Sequence, residues 1–272
     1  MKHLLKGKVT LARMAAALSV FTLLAFHWPF FSYVVDNINC DFNGVLITGG
    51  TVVIMLALNY FFYYLVGFLG RFVGKCILAF SFLANSICLY FINTYQVLVT
   101  DSMMGNVYNT QYSEASGFFS WQALLYVLFL GVLPCVYIFM RKVDYGKVKR
   151  FFANIGISLA VAVFIALVNM PNWPWIDRHA PTIGSLLMPW SYTVNTVRFY
   201  NGERQRNRKE IPLPDAKITN QSKDVLVLII GESARRSNFS LYGYERPTNP
   251  LLEKDSVTTL IAEAATTYTT GS

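Results

Sequence analysis

The stretch VVIMLALNYFFYYLVGFL, residues 52–69, decides the fold, because it runs for eighteen residues without a charged side chain. About 20 apolar residues span the hydrocarbon core of a bilayer as a helix. This stretch belongs to a charge-free segment that covers residues 42–70. Only helices and closed barrels satisfy every backbone polar group in lipid, and barrel strands would alternate apolar and polar residues. This stretch does not alternate, so we predict a transmembrane helix.

Four further segments lack Asp, Glu, Lys and Arg and are long enough to span a membrane: residues 14–35, 76–100, 115–140 and 151–176. Charged residues make up only 14% of the chain, whereas a soluble domain carries about a quarter. This composition argues against an ordinary soluble enzyme, a disordered chain and a coiled coil. The first segment is too long for the apolar part of a signal peptide, and a second span follows at once. We predict an α-helical membrane domain of five transmembrane helices over residues 1–170.

The basic residues indicate how this domain is oriented. Basic residues of this domain occur in three places: before the first predicted helix, between the second and third helices, and between the fourth and fifth helices. These residues are Lys2, Lys6, Lys8, Arg13, Arg71, Lys75, Arg141, Lys142, Lys147, Lys149 and Arg150. The loops at 36–41 and 101–114 contain no Lys or Arg. The positive-inside rule therefore predicts a cytoplasmic N-terminus and places the chain after residue 176 outside. The net charge of +8 is partly this topology signal, and we do not interpret it as nucleic-acid binding.

Residues 171–222 are rich in Pro and contain three of the five Trp residues, which suit a membrane interface. We interpret them as an interfacial linker on the outer, periplasmic side, in which residues 183–200 form a helix lying on the bilayer. A basic cluster near residues 204–209 is either a solvated linker face or a contact with lipid phosphates.

The apolar run VLVLII at 225–230 is too short to span a membrane and fits a buried strand of a parallel sheet. Glu232 follows it, where open α/β sheets bind ligands. It could be a metal ligand, a general base, or a carboxylate stabilised by a helix N-terminus. We predict that residues 223–272 begin an α/β domain, and 50 residues are too few to complete its core. The three His residues do not occur at metal-ligand spacing, and the four Cys residues suggest neither a disulfide scaffold nor a zinc finger.

Two hydroxyl-rich or polar patterns are further candidates. Thr269 and Thr270 lie in a run of threonines, and a Thr beside a metal can act as a nucleophile, although polar loop composition is the alternative. Asn106, Thr110 and Glu114 recur every fourth residue. A helix would place these three on one face, either as a polar stripe that binds a cationic head group or as a solvated surface.

The stretch LIIGESARRSNFSLYGYERPTNPLL at 228–252 resembles the lipid phosphoethanolamine transferases, which include the lipid A transferases and the mobile colistin resistance enzymes. The pattern at 106–114 and KVDYGK at 142–147 are also similar to this family. The resemblance implies five transmembrane helices followed by an alkaline-phosphatase-like, or sulfatase-like, domain of which this chain contains only the start.

The resemblance also implies residue roles. Glu232 matches a zinc ligand, and Thr269 matches the nucleophile, which also binds the metal. Thr270 stands where the family has Ala, so the nucleophile could be shifted by one residue. The remaining zinc ligands are expected beyond residue 272, so we expect residues 1–272 alone to be inactive. Asn106, Thr110 and Glu114 match residues that hold the ethanolamine head group.

The activity implied by the resemblance is transfer of phosphoethanolamine from phosphatidylethanolamine to lipid A, in the bacterial inner membrane, by a zinc-activated threonine. The added amine would weaken attraction to cationic peptides such as polymyxin. Two alternatives remain at this point. One is a related membrane phosphotransferase with phosphoglycerol chemistry or another glycan acceptor, and the other is a non-catalytic membrane scaffold.

Overall fold

The computed structural model describes residues 8–110, 112–206, 235–255 and 257–259. The chain divides into two compact units, Met1–Glu210 and Ile211–Ser272. The predicted strand at 225–230 lies outside the described residues, so the start of an α/β domain stays a prediction.

Four helical segments of the first unit are long and apolar enough to cross a membrane. They are α3 (Phe42–Phe68), α4 (Val73–Tyr95), the continuous helix Trp121–Met140, and α9 (Val148–Val168). The helix Trp121–Met140 consists of α7 (Trp121–Tyr126), a π-helical stretch (Val127–Val132) and α8 (Leu133–Met140). These helices match four of the five predicted spans.

The first predicted span, residues 14–35, is a bent pair of helices. Helix α1 (Leu11–Phe26) and helix α2 (Trp28–Asp36) meet at an angle of 58°, so the structure has five candidate spans if this pair counts as one. Pro29, in the first turn of α2, explains the break because it lacks an N–H and crowds the preceding turn. At the bend, the buried His27 donates from Nδ1 to the Thr22 carbonyl oxygen at 3.0 Å.

Helix α3 is the centre of the membrane unit, because it packs against α1, α4 and α9. The Thr22 and Tyr63 hydroxyls share a buried hydrogen bond of 2.6 Å that joins α1 to α3. The Tyr63 ring stacks on Phe82 of α4, with 5.6 Å between ring centroids. Aromatic rings thus pack around the Thr22–Tyr63 pair in the core.

A short parallel strand pair closes one end of the bundle, and the sequence did not indicate it. Strand β1 (Val9–Thr10) precedes α1, strand β2 (Val143–Asp144) follows α8, and Val9 lies opposite Val143. On the same side, Lys75 Nζ donates to the Arg141 carbonyl oxygen at 2.6 Å. The three basic segments therefore meet on one side of the bundle, which we call the basic face, as the charge pattern predicts.

After α9 the chain forms two helices instead of the single surface helix predicted at 183–200. Helix α10 (Trp173–Leu186) and helix α11 (Trp190–Arg206) are separated by residues 187–189. The turn between them packs into the bundle: the Trp190 ring lies 5.6 Å from that of Phe62, and Met188 is fully buried. The prediction was wrong because this apolar turn is buried by α3 and not by lipid.

Helix α11 also packs on α5 (Asp101–Asn109), a short helix on the loop that joins α4 to α7. The buried Asn195 side chain donates from Nδ2 to the Val99 carbonyl oxygen at 2.6 Å, just before α5. Since α4 leads away from the basic face, α5 lies at the opposite face of the membrane unit.

The described part of the second unit consists of short turns and one short helix. These are 3-10 turns at Arg236–Asn238 and Ser240–Tyr242, followed by α12 (Pro250–Lys254). The Thr248 hydroxyl donates to the Asn238 carbonyl oxygen at 2.7 Å and accepts from the Ser240 N–H at 2.9 Å. Gly243 adopts φ +95°, a left-handed conformation suited to glycine, and the chain turns at this residue.

The tight connection between α3 and α4 depends on Gly74. A Cβ at this position would lie 2.5 Å from the Val66 carbonyl oxygen, which is backbone and cannot swing aside. We expect Gly74→Ala to destabilise the protein by about 1–3 kcal/mol. Gly49→Ala is the matched control, because its Cβ meets nothing within 4 Å, and should change stability by less than about 1 kcal/mol. Thermal unfolding in detergent measures both, and equal midpoints for the two variants would contradict the close approach.

The buried amide of Asn195 gives a second prediction. Asn195→Ala leaves the Val99 carbonyl without its donor, which should cost about 1–3 kcal/mol and lower the midpoint of thermal unfolding. Thr196→Ala is the control, because the neighbouring Thr196 hydroxyl makes only an exposed 3.3 Å contact with the Tyr108 hydroxyl. A Thr196→Ala midpoint as low as that of Asn195→Ala would argue against a special role for the buried amide.

Candidate functional site

The candidate head-group site is built on α5, and local hydrogen bonds fix where this helix starts. The Thr100 hydroxyl accepts from the Met103 N–H at 3.2 Å and caps the N-terminus. Asp101 lies in the first turn, where its negative charge is favoured by the helix dipole. The sequence TDSM at 100–103 is therefore a strong helix start.

The C-terminus of α5 separates two of the predicted site residues from the third. Thr110 has φ −64° and ψ 128°, an extended conformation that ends the helix. Its hydroxyl donates to the Asn106 carbonyl oxygen at 2.6 Å, and its N–H donates to the same oxygen at 2.8 Å.

The expectation that Asn106, Thr110 and Glu114 share one face of a single helix was therefore wrong. Asn106 is exposed on α5, and the exposed Thr110 is bonded to its backbone. Glu114 belongs to a separate helix, α6 (Tyr112–Gly117), and its side chain lies outside the described part of the structure. The three residues still belong to one loop at the face opposite the basic face.

Helix α11 holds α5 through contacts that the sequence alone did not reveal. A Cβ on Gly105 would lie 2.8 Å from Cε2 of Phe199, so this glycine lets the Phe199 ring approach the α5 backbone closely. The Tyr108 ring stacks on Phe199 with 5.9 Å between centroids. The i, i+4 spacing of Asn195 and Phe199 indicates a common face of α11, but nothing in the pattern identified α5 as its partner.

Both polar atoms of the Asn195 side-chain amide make hydrogen bonds. Its nitrogen bonds the Val99 carbonyl oxygen, and its oxygen accepts from Arg198 Nη1 at 3.4 Å. The orientation of the amide is therefore fixed by two partners. This arrangement fixes the start of α5, from which Asn106 projects one and a half turns later.

The predicted catalytic residues Glu232, Thr269 and Thr270 all lie outside the described residues. Within the described ranges there is no group of three or more His, Cys, Asp or Glu side chains that could hold a metal ion. A carboxylate is a common zinc ligand in proteins, so the donor type of Glu232 fits the predicted metal, and the role of Thr269 stays a prediction.

Comparison with known proteins identifies relatives of the chain. Residues 54–204 match the family model for the phosphoethanolamine transferases EptA and EptB. EptA of Helicobacter pylori is 34% identical over 256 residues, which cover 91% of this chain and 47% of that protein. The phosphatidylethanolamine transferase Mcr-1 of Escherichia coli is 26% identical over 201 residues, covering 69% of this chain and 37% of that protein.

A solved structure supports the fold. The integral membrane lipooligosaccharide phosphoethanolamine transferase EptA from Neisseria meningitidis superposes with a TM-score of 0.77, at 23% identity, over 92% of this chain and 48% of that one. The chain spans about half the length of the H. pylori relative and of this solved structure. The family-model match over residues 54–204 and the 34% identity to H. pylori EptA over 91% of the chain show that the chain belongs to the EptA/EptB family of phosphoethanolamine transferases.

Proposed function

We propose that the full-length protein transfers phosphoethanolamine from phosphatidylethanolamine to lipid A. The observation that carries this proposal is the family match over residues 54–204, together with 34% identity to H. pylori EptA over 91% of the chain. The motif at 228–252 supports the proposed reaction, because it supplies a candidate zinc ligand: Glu232 follows the apolar run at 225–230.

The proposed reaction has two displacements at phosphorus. The Thr269 oxygen attacks the phosphorus of phosphatidylethanolamine, a Thr Oγ–P bond forms, and the P–O bond to diacylglycerol breaks. Diacylglycerol leaves with the proton that the threonine gave up. A phosphate or sugar hydroxyl oxygen of lipid A then attacks the same phosphorus, the Thr Oγ–P bond breaks, and the proton of the acceptor hydroxyl passes to the Thr269 oxygen. Thr270 is the alternative nucleophile.

Glu232 and Thr269 are the residues that we propose as ligands of a zinc ion, with further ligands beyond residue 272. Zinc bound there would lower the pKa of the threonine hydroxyl and neutralise charge on the transferring oxygens. In this proposal Glu232 contributes a fixed negative charge at the end of the predicted strand.

The donor's ammonium group is proposed to bind at the α5–α6 loop. The Asn106 side chain is exposed there, and the Thr110 hydroxyl, although it donates to the Asn106 carbonyl, keeps lone pairs that can accept from an ammonium. Glu114 would add a negative charge. Hydrogen bonds with one charged partner are stronger than neutral ones, so these three residues suit a primary ammonium.

The orientation also belongs to this proposal. We propose an inner-membrane protein whose basic face is cytoplasmic and whose α5–α6 loop, linker and catalytic domain are periplasmic. Support comes from β1–β2 pairing and the Lys75 contact with Arg141, which gather the basic segments on one side.

The catalytic residues are tested by substitution in the full-length protein. We expect Thr269→Ala and Glu232→Gln each to lower transfer of a fluorescent phosphatidylethanolamine head group by at least about 100-fold, because they remove the nucleophile and a metal ligand. Only Glu232→Gln should also lower bound zinc strongly. Thr270→Ala distinguishes the two candidate nucleophiles, because it should keep most of the activity if Thr269 is the nucleophile. Full activity of both threonine variants would contradict the covalent mechanism.

The head-group residues are tested by donor kinetics. Glu114→Gln should raise the KM for phosphatidylethanolamine about tenfold, which corresponds to about 1.4 kcal/mol, while kcat changes less. Asp101→Asn removes a charge from the same loop and serves as control, because Asp101 is exposed and its carboxylate bonds only the adjacent Ser102 N–H among the contacts described. An equal rise in KM for both variants would show a general charge effect and would contradict a specific site.

A further inference from the structure

A groove on the surface of the membrane unit lies between α1 and the helix that contains α8, away from the α5–α6 loop. Its volume is about 440 Å³, within the range of small-molecule sites. Its lining is apolar apart from one tyrosine hydroxyl, and it comprises Ala17, Leu18, Phe21, Phe129, Leu133, Pro134 and Tyr137. Phe129 and Leu133 are each more than half exposed, so the groove opens towards the region that lipid occupies.

Each of the two helices that line the groove has an arginine near it at the basic face. Arg13 precedes Ala17 by one helical turn on α1, and Arg141 follows Tyr137 by one turn after α8. The Arg141 guanidinium carbon lies 5.0 Å from the centroid of the Tyr137 ring. Arg13 lies one turn before Ala17 on the same face of α1. Arg141 has an extended backbone after α8, and its guanidinium lies against the Tyr137 ring that lines the groove, so both arginines lie at the basic-face end of the groove.

The β1–β2 pair holds these two arginines near each other. Val9, shortly before Arg13, lies opposite Val143, shortly after Arg141, and Thr10 lies opposite Asp144. Thr10 also caps α1, accepting from the Arg13 N–H at 3.4 Å. The start of α1 and the end of α8 are therefore fixed side by side by backbone hydrogen bonds.

The charge around this end of the groove is strongly positive. Lys8 and Lys142 lie in the same segments as the two arginines, and Lys75 contacts the Arg141 carbonyl oxygen, whereas Asp144 is the one acidic residue in residues 8–13, 71–75 and 141–144. The Asp144 carboxylate accepts from the Gly146 N–H at 3.1 Å within its own turn. An apolar groove with a cationic end complements a molecule that has a long apolar chain and an anionic head.

We propose that this groove binds an anionic glycerophospholipid, such as phosphatidylglycerol, from the leaflet at the basic face. An acyl chain would lie along the apolar walls, and the phosphate would bind the Arg13 and Arg141 guanidinium groups. Basic pockets between transmembrane helices are recognised sites for anionic lipid head groups, and guanidinium groups match phosphate geometry well. This site is separate from the donor site, because it lies at the opposite face and selects a net negative lipid instead of a zwitterionic one.

The test is native mass spectrometry of the full-length protein in detergent with equal amounts of phosphatidylglycerol and phosphatidylethanolamine. We expect preferential retention of one phosphatidylglycerol, reduced at least about tenfold in Arg13→Gln/Arg141→Gln, because the charge-assisted hydrogen bonds to the lipid phosphate are lost. Ala17→Trp should have the same effect by filling the groove, because Ala17 is exposed. Arg150→Gln is the matched control, since it removes an exposed arginine from the basic face on α9, and it should retain the lipid.

Three results would overturn the proposal. The first is equal retention of the two lipids by the unchanged protein. The second is a loss on Arg150→Gln as large as that of the double variant, which would show general surface attraction. The third is unchanged retention in Ala17→Trp, which would show that the groove is not where the lipid binds. Circular dichroism of each variant, with the helical signal of the unchanged protein, ensures that a loss of lipid reflects the site and not unfolding.

Discussion

Lipid offers no hydrogen-bond partner, so hydrogen bonds between the spanning helices help to hold them together, and tyrosines of α3 make such bonds to two neighbouring helices. Thr22 and Tyr63 pair between α1 and α3. Asn154 of α9 accepts from the Tyr60 hydroxyl at 3.0 Å and donates to the Tyr64 hydroxyl at 3.2 Å, which joins α9 to α3. Because both sets of partners belong to α3, this helix becomes the common neighbour of the others.

Further contacts position the chain at both ends of the bundle. At the face opposite the basic face, the α10–α11 turn is anchored beside Phe62, and α11 then carries Asn195 and Phe199 to α5. At the basic face, the β1–β2 pair fixes the start of α1 beside the end of α8. The proposed donor site is thus positioned through α11, which follows the turn packed on α3. The proposed anionic-lipid groove lies at the other end, where the β1–β2 pair joins α1 to α8. The two faces differ in charge, which suits the different head groups.

Hydrophobic length and charge patterning predicted the spanning helices well, because the cost of placing backbone and charges in lipid dominates every local preference. The bend at His27 was missed although Pro29 signals it, because the charge-free segment is long enough to span without a break. The four-residue spacing of Asn106, Thr110 and Glu114 predicted one helix, but Thr110 has an extended backbone and a separate helix begins at Tyr112. The β1–β2 pair and the packing of α11 on α5 join residues that are distant along the chain, and a single sequence contains no signal for such pairing. The catalytic roles of Glu232, Thr269 and Thr270 were predicted by resemblance alone and stay predictions.

The central claim is that a threonine of this chain carries phosphoethanolamine between two lipids. The most direct measurement is mass spectrometry of peptides from the full-length protein after incubation with phosphatidylethanolamine and rapid quenching. The account predicts a mass increase of one phosphoethanolamine on the peptide that contains Thr269 and Thr270, mapped by fragmentation to Thr269 and absent in Thr269→Ala. An unmodified peptide in a protein that turns over its lipid substrates would contradict the claim.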